Sequence, residues 1–306
     1  MSSLLPETAF TAEEIRQRKF TKKSLSLNLL LIGENGIGMK TFVNSLCKMN
    51  YFKDKSLDGS VLYNIYEERR DSSLKIETHT IDVVEPNTSP IRLRVSLTRN
   101  FAYNLDNSNN AKAIVDFILN EYDLALQEEL KIKRNPRVAD NRIHVGLYFL
   151  RAKNRKLNEF EIENMKKIGE RINLIPVIGK ADTLTEGEYI LNKELISSSI
   201  KENNIPVFNF LEFLDDLEVS DDDIEEVTYL RILQASLPFG IIASNFRQGE
   251  NFVRRVPWGL INIEDENNSD LKLLRSVLFG SHIQEFKDLT INLKYEKYRV
   301  EKLSEK

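Results

Sequence analysis

The chain of 306 residues carries 43 lysines and arginines and 47 aspartates and glutamates, which gives a net charge of −4. With 41% apolar residues it has the composition of a globular protein with a core, and its mild acidity gives no global electrostatic case for nucleic acid binding. The single cysteine, Cys47, excludes an intrachain disulfide and favours a reducing, cytosolic compartment. No secretory signal and no run of roughly 18 apolar residues are present, so neither secretion nor a transmembrane helix is indicated.

Helical and strand patterns alternate along most of the chain. Short apolar runs predict strands, and apolar residues at three- and four-residue steps predict helices. Strands are predicted at 27–32, 75–84, 91–97, 143–150, 173–179 and 238–243, and helices from 41 onward and at 111–130, 159–172, 186–202, 229–235 and 282–303. The turn-rich segment 85–90 predicts that the second and third strands form a hairpin. The alternation predicts an α/β fold with a mostly parallel sheet covered by helices on both faces.

A glycine-rich loop follows the first strand and nearly matches the phosphate-binding pattern G-x-x-x-x-G-K-[ST]. Gly33, Gly36 and Gly38 allow backbone amides and a helix N-terminus to point at phosphate oxygens. Met39, however, stands in the lysine position and Lys40 in that of the magnesium-binding hydroxyl residue. A one-residue bulge would return Lys40 and Thr41 to the working positions, and a purely structural turn is the third alternative.

Two further motifs distinguish guanine-nucleotide sites. Lys180-Ala181-Asp182 directly follows a predicted strand, where the carboxylate is placed to accept the N1 and N2 hydrogens of guanine. The aspartate and glycine that would hold magnesium and sense the third phosphate are missing from the end of the third strand, around Leu97 to Asn100. The three histidines, His79, His144 and His282, have no metal-ligand spacing, and no metal site is predicted.

Several segments together resemble the septins, GTP-binding proteins that polymerise into filaments. The resemblance rests on Lys131–Arg137 with the following strand, on Asn104–Asn107, and on the run from Arg254 through Trp258 to Leu260. It divides the chain into an N-terminal segment (1–25), a P-loop G domain (26–250), and a septin unique element with a C-terminal helix (251–306). It also places the missing aspartate and glycine at Leu97 and Asn100, and it is most similar to fungal end-of-protomer or sporulation-associated subunits.

The resemblance implies roles for particular residues. A guanine nucleotide, GTP or GDP, would be held weakly or not at all, Mg²⁺ binding is doubtful, and no catalytic residue is assigned. The implied nucleotide-binding set is Gly33, Asn35, Gly36, Gly38, Lys40, Thr41, Lys180, Asp182, Ala243 and Arg254. Arg155, Trp258 and Phe286 are implied at interfaces with other septin subunits.

A basic cluster precedes the first strand, and an acidic segment spans 215–226. Both are interpreted either as solvated surface or as contact regions. In the septin comparison the basic cluster corresponds to a polybasic region that meets anionic phospholipid membranes. Its members are Arg16, Arg18, Lys19, Lys22 and Lys23.

The favoured hypothesis is a septin subunit with little or no GTP hydrolysis, cytoplasmic and cytoskeletal, at the cell cortex, bud neck or prospore membrane. Its partners would be other septin subunits, with an anionic membrane as a further partner and no nucleic acid. The alternatives are an active GTPase that uses Lys40 and Thr41, and a membrane-binding protein that acts independently of assembly.

Overall fold

A computed structural model describes residues 25–52, 73–84, 90–131, 139–212, 223–249, 251–257 and 259–304. The predictions for the basic cluster, for Trp258, for residues 132–137 and for most of the acidic segment concern residues outside these ranges. The N-terminal segment proposed as a separate unit also lies outside them, apart from Leu25.

Within the described ranges, the main sheet has six strands. They are β1 (Leu25–Gly33), β2 (Lys75–Val83), β3 (Ile91–Arg99), β4 (Val145–Arg151), β5 (Asn173–Gly179) and β6 (Phe239–Ile241). Their spatial order is β2-β3-β1-β4-β5-β6. Only β2 runs antiparallel, paired with β3 as a hairpin, and the other pairings are parallel. The predicted hairpin and mostly parallel sheet are therefore confirmed.

Helices cover both faces of this sheet. They are α1 (Met39–Leu46), α2 (Asn110–Glu129), α3 (Glu159–Gly169), α4 (Glu186–Glu202), α5 (Asp223–Ser236), α6 (Leu271–Ser276), α7 (Ile283–Leu289) and α8 (Glu296–Ser304). Capping boxes fix the first turns of α3 and α4, where Asn158 and Thr185 accept the amides of Glu161 and Glu188. A small second sheet contains β7 (Arg247–Gln248), β8 (Asn251–Val256) and β9 (Gly259–Asn262).

The central strand β1 shows why the sheet is buried on both faces. Leu29 and Leu31 point into one core with α1, α5, α6 and α7. Leu30 and Ile32 point into the other core with α2, α3 and α4. Because side chains alternate along a strand, a continuous apolar run can be buried only when both faces are covered. The apolar run thus places β1 at the centre of the molecule, with its carboxyl end at the glycine-rich loop.

The C-terminal helix differs from its sequence prediction. In a uniform α-helix over the predicted range 282–303, Phe286, Leu293 and Val300 would share one apolar face, yet Leu293 is 54% and Val300 65% exposed. A π-helical turn at Thr290–Tyr295 lies between α7 and α8. Since a π turn takes more residues per turn than an α-helix, it rotates the buried face, and Tyr295 and Tyr298 are buried instead. The expected register was wrong because it assumed uniform α-helical periodicity.

The segment after residue 250 packs into the same core as the G domain. The Arg275 guanidinium donates to the carbonyls of Leu46 and Ser45 at the end of α1, at 2.9 and 2.6 Å. Carbonyls at a helix C-terminus lack the intrahelical partners of the helix interior, and these bonds supply side-chain donors to two of them. Among the described residues, no helix has the length and apolar character needed to cross a membrane.

Candidate functional site: a phosphate loop with altered side chains

The glycine-rich loop connects β1 directly to α1. Gly36 and Gly38 have φ values of 80° and 106°, which side-chain-bearing residues rarely adopt. Gly38 is the N-cap of α1, and its carbonyl accepts the first helical hydrogen bond, from the Phe42 amide at 2.8 Å. The predicted strand, loop and helix are present, and the free amide end of α1 faces the loop.

Met39 and Lys40 occupy the first two positions of α1. Met39 is only 8% exposed and packs in the core beside α1. The ammonium of Lys40 lies 3.9 Å from a carboxylate oxygen of Glu77 on β2 and 5.5 Å from the centre of the Phe52 ring. Because α1 begins directly after Gly38, the loop contains no bulge that would bring Lys40 into the position of Met39.

A cavity of about 630 Å³ opens beside the loop, bounded on the other side by the end of β3. Its lining includes every loop residue from Glu34 to Thr41, together with Lys75, Leu97, Thr98, Arg99 and Asn100. Lys40, Arg99 and the nearby Arg151 have carboxylate partners within the chain. Arg99 pairs with Glu77 at 2.9 Å, and Arg151 pairs with Glu34 in the loop itself. The site therefore neutralises much of its own positive charge.

The end of β3 carries no acidic group. Leu97, at the position assigned to the magnesium-binding aspartate, is 2% exposed and lines the cavity. Asn100, at the position assigned to the glycine, adopts a φ of 60°, which asparagine tolerates better than most residues. Its backbone amide donates to Asn35 Oδ1 at 2.9 Å, and Asn35 Nδ2 donates to Asn100 Oδ1 at 3.0 Å.

The residues assigned to guanine recognition do converge. Lys180 follows β5 with a φ of 58°, and Asp182 lies on the short 3₁₀ turn Ala181–Thr183. Both line a small cavity of about 50 Å³ with Ala243 and Arg254. Arg254 Nε donates to Asp182 Oδ2 at 3.1 Å, and the Asp182 side chain is 7% exposed. The carboxylate expected to bind the base is thus already paired within the chain.

The remaining predicted site residues are dispersed. Arg155 is partly exposed and pairs with Glu161 at 3.1 Å. Phe286 was expected at a subunit interface, but it is 0% exposed and packs against the Phe208 ring with centroids 4.8 Å apart. That expectation is wrong for the side chain of Phe286, because the helix turns it into the core.

Two of the histidines are buried. His144 Nδ1 accepts the Asn28 amide at 3.1 Å, and burial lowers the pKa of His144 although the carboxylate of Asp140 lies 3.5 Å from Nε2. His282 is 2% exposed, and burial lowers its pKa to about 4. Within the described ranges, no group of three or more histidine, cysteine, aspartate and glutamate side chains could hold a metal ion.

Sequence reasoning missed the partners that balance the loop. Glu77 lies within β2 and Arg151 is the last residue of β4, and nothing in their local sequence relates them to the loop. The one signal in the sequence was the pair of asparagines at positions 35 and 100, since both fall within segments that correspond to nucleotide-binding motifs.

The strand order, the glycine loop after β1 and the Lys-x-Asp segment after β5 define a P-loop α/β protein of the GTPase type. The septin family model matches residues 23–306, and the chain therefore belongs to the septin family.

Relatives and solved structures agree with this assignment. The chain is 35% identical to Cell division control protein 11 of Saccharomyces cerevisiae, over 95% of this chain and 69% of that protein. It is 35% identical to Sporulation-regulated protein 28 of the same yeast, over 99% and 79%. The crystal structure of a septin GTPase domain from Chlamydomonas reinhardtii has a TM-score of 0.65 at 21% identity, covering 91% of this chain and 99% of that one. The crystal structure of Cdc11 from Saccharomyces cerevisiae has a TM-score of 0.56 at 26% identity, covering 90% of this chain and 99% of that one.

Proposed function

We propose that this protein is a septin subunit that assembles with other septins into hetero-oligomers or filaments and has little or no GTP hydrolysis. It would act at the cell cortex, the bud neck or a developing prospore membrane, during cytokinesis or sporulation. Family membership supports the assembly role, and the names of two relatives refer to cell division and sporulation. Arg155, which is partly exposed, and Trp258 are the proposed contact residues.

The observation that carries the loss of hydrolysis is the position of Met39. In P-loop proteins a lysine at this point reaches the β- and γ-phosphates and stabilises charge that develops during phosphoryl transfer. Here the side chain is apolar and packed into the core. Lys40 does not replace it, because its ammonium lies toward Glu77 and Phe52 on the β2 side.

The residues present do not fit a catalytic Mg²⁺ ion. Magnesium prefers oxygen ligands, supplied in such sites by a hydroxyl after the loop lysine and by a carboxylate at the end of the neighbouring strand. Lys40 and Leu97 hold those two positions here, and one is cationic while the other is apolar. Thr41 keeps a hydroxyl at the cavity, which favours the alternative of a working GTPase.

The residues of the site do fit the phosphates and the base of a guanine nucleotide. The curl at Gly36 and Gly38 leaves open space where side chains would otherwise stand, and Lys180, Asp182 and Arg254 converge on the base side. When bound, the nucleotide would act as a structural ligand. Asp182 would orient the base only after exchanging its bond to Arg254 for one to guanine.

The first experiment measures the nucleotide released from the purified, denatured protein by ion-exchange chromatography, together with GTP turnover in the presence of Mg²⁺. We expect no measurable turnover, whether the protein is empty or releases a nucleotide. Stoichiometric GDP with Mg²⁺-dependent turnover that disappears in Lys40→Ala would contradict the proposal and establish the GTPase alternative.

A second experiment rebuilds the loop. In Met39→Lys/Lys40→Ser, binding of a fluorescent GTP analogue should strengthen at least about tenfold, because a charged hydrogen bond to phosphate is restored. Lys40→Ser alone is the matched control and should not strengthen it. Turnover should stay absent in both variants because Leu97 still replaces the carboxylate.

Assembly is tested separately, by co-purification with other septin subunits. Arg155→Ala and Trp258→Ala should reduce co-purification while the unfolding temperature stays close to that of the wild type. Undiminished assembly in both variants would remove these residues from the interface.

A further inference from the structure

The amide side chains of Asn35 and Asn100 connect two parts of the nucleotide site that are 65 residues apart in the chain. Asn35 lies in the phosphate loop, and Asn100 follows the last residue of β3. Two hydrogen bonds join them, at 2.9 and 3.0 Å. Asn100 is held from a third direction, because its Nδ2 donates to the carbonyl of Ser73, just before β2, at 3.2 Å.

A second connection lies immediately beside this pair. Thr98 Oγ1 accepts the amide of Gly33 at 3.2 Å and donates to the carbonyl of Leu31 at 3.3 Å. Thr98 is 1% exposed, so these bonds are shielded from water, whereas the Asn35–Asn100 pair lies at the exposed rim of the cavity. The start of the loop is therefore fixed by a buried contact, and its outer part by the asparagine pair.

The order of the strands indicates which part of a bound nucleotide would lie near Asn100. The guanine-recognition residues follow β5, on one side of β1, and Asn100 follows β3, on the other side. A nucleotide whose base lies beside β5 must direct its phosphate chain across the loop toward β3. The end of the strand on that side is where P-loop proteins bind the ion that bridges the β- and γ-phosphates. The Asn100 amide is accordingly placed to meet the end of a triphosphate.

We propose that Asn35 and Asn100 form an internal latch that holds the phosphate loop against the end of β3 without a ligand and selects against a nucleoside triphosphate. The latch acts by hydrogen bonding: Asn35 Oδ1 takes the backbone amide that a third phosphate would otherwise use. A triphosphate must break both bonds to bind there, whereas a diphosphate, whose chain ends earlier, leaves the latch closed. This inference rests on the proposed guanine-nucleotide site and adds its selectivity.

Asn35→Ala removes both bonds of the latch and keeps the glycines of the loop. We expect the affinity for a non-hydrolysable GTP analogue, relative to that for GDP, to rise about tenfold in calorimetric titrations, since two exposed hydrogen bonds no longer compete. Asn120→Ala, the same change on the exposed surface of α2, is the matched control and should leave this ratio unchanged. A proportional loss of both affinities would instead make Asn35 a direct ligand of the nucleotide and overturn the latch.

The variant Asn100→Gly should weaken the latch only in part. Glycine accepts the positive φ and keeps the backbone amide, so one of the two bonds survives and the change in ratio should be smaller. In Asn35→Ala/Asn100→Gly the ratio should equal that of Asn35→Ala alone, because both substitutions remove the same latch. Additive effects would show two independent contacts and contradict the proposal.

A measurement made in the absence of nucleotide tests the latch independently of the proposed function. Hydrogen exchange of the Asn100 amide should be slow in the wild-type protein and about tenfold faster in Asn35→Ala, with the Asn120→Ala variant unchanged. Equal exchange in all three proteins would overturn the latch whatever the protein binds. Failure of Asn35→Ala to gain any binding of the GTP analogue would overturn the selectivity. GTP turnover or an absence of septin partners would count against the proposed function and leave the exchange result intact.

Discussion

Arg254 on β8 donates from Nε to Oδ2 of Asp182, which follows β5, at a distance of 3.1 Å. The two residues are 72 positions apart, and both line the small cavity on the base side of the loop. Because the carboxylate is largely buried and already paired, guanine has to compete with an internal cation for it. Internal ion pairs also occur on the phosphate side of the site, where Glu77 pairs with Lys40 and Arg99.

The Arg254–Asp182 pair should contribute measurably to stability in the absence of nucleotide. A double-mutant cycle of Asp182→Ala and Arg254→Ala, followed by urea unfolding, should give a coupling free energy of about 0.5–1 kcal/mol, since Arg254 is partly exposed to solvent. Saturating GDP should reduce the coupling, because guanine takes the same carboxylate. The exposed Asp116 provides the control: Asp116→Ala with Arg254→Ala should show no coupling, and a zero value for the Asp182 cycle would contradict the pairing.

Phe286→Ala should destabilise the fold instead of selectively blocking assembly. The side chain is fully buried against Phe208, and truncating a buried phenylalanine costs about 3–5 kcal/mol. Leu293→Ala, at a half-exposed position of the same C-terminal helix, should change the free energy of unfolding by no more than about 0.5 kcal/mol. Denaturant titration distinguishes the two variants. A Phe286→Ala protein of wild-type stability that fails to assemble would restore this residue to an interface.

His282 should make the protein less stable in mild acid. Burial depresses its pKa from 6.5 to about 4, so between these values the unfolded chain binds a proton that the folded protein does not. Stability is therefore greatest above pH 6.5 and falls as the pH drops toward 4. The contribution of this residue to the loss between pH 7 and pH 4.5 should be about 2 kcal/mol.

The variant His282→Gln isolates this effect. Glu285, whose carboxylate is 3.5 Å from His282 Nε2, has a pKa raised by burial and by Glu226 and Asp288, and it shifts stability with pH in the opposite sense. Since Glu285 remains in the variant, the difference between the two proteins reports on His282. Thermal unfolding followed from pH 7 to pH 4.5 should show a flatter dependence for His282→Gln. Parallel curves would show that His282 is not held neutral by burial.

The basic cluster should confer binding to anionic membranes. Replacing Arg16, Arg18, Lys19, Lys22 and Lys23 by glutamine should abolish sedimentation with phosphatidylserine and phosphoinositide vesicles, because each cation near such a surface contributes about 1 kcal/mol. Binding of the wild-type protein should weaken with added salt and be absent on phosphatidylcholine. The control neutralises five dispersed, exposed lysines for the same change in net charge: Lys112, Lys153, Lys167, Lys201 and Lys272. Equal loss in both proteins would indicate a net-charge effect and contradict a local membrane site.

Much of the fold could be predicted because its signals are local. The leucine-rich segment from Leu27 to Leu31 requires cover on both faces, and the alternation of strands with amphipathic helices requires parallel pairing, so the core of the sheet follows from the sequence. The C-terminal helix was the exception. Its π turn at Thr290–Tyr295 begins with the buried Thr290. The Thr290 hydroxyl donates to the Phe286 carbonyl at 2.7 Å and accepts from the side-chain amide of Asn173 on β5 at 3.1 Å. That contact depends on a distant strand, which periodicity within the helix cannot reveal.

From the order of the residues alone we could predict the glycine curl, the replacement of the loop lysine by Met39, the loss of the aspartate at Leu97 and the family. Each of these is a property of a residue at a known step from a neighbouring element. The three-dimensional packing was needed to show that Asp182 is paired with Arg254, that Lys40 lies toward Glu77, and that Asn35 accepts the amide of Asn100. These partners are distant in the chain, and the order of strands in the sheet brings them within hydrogen-bonding or ion-pairing distance.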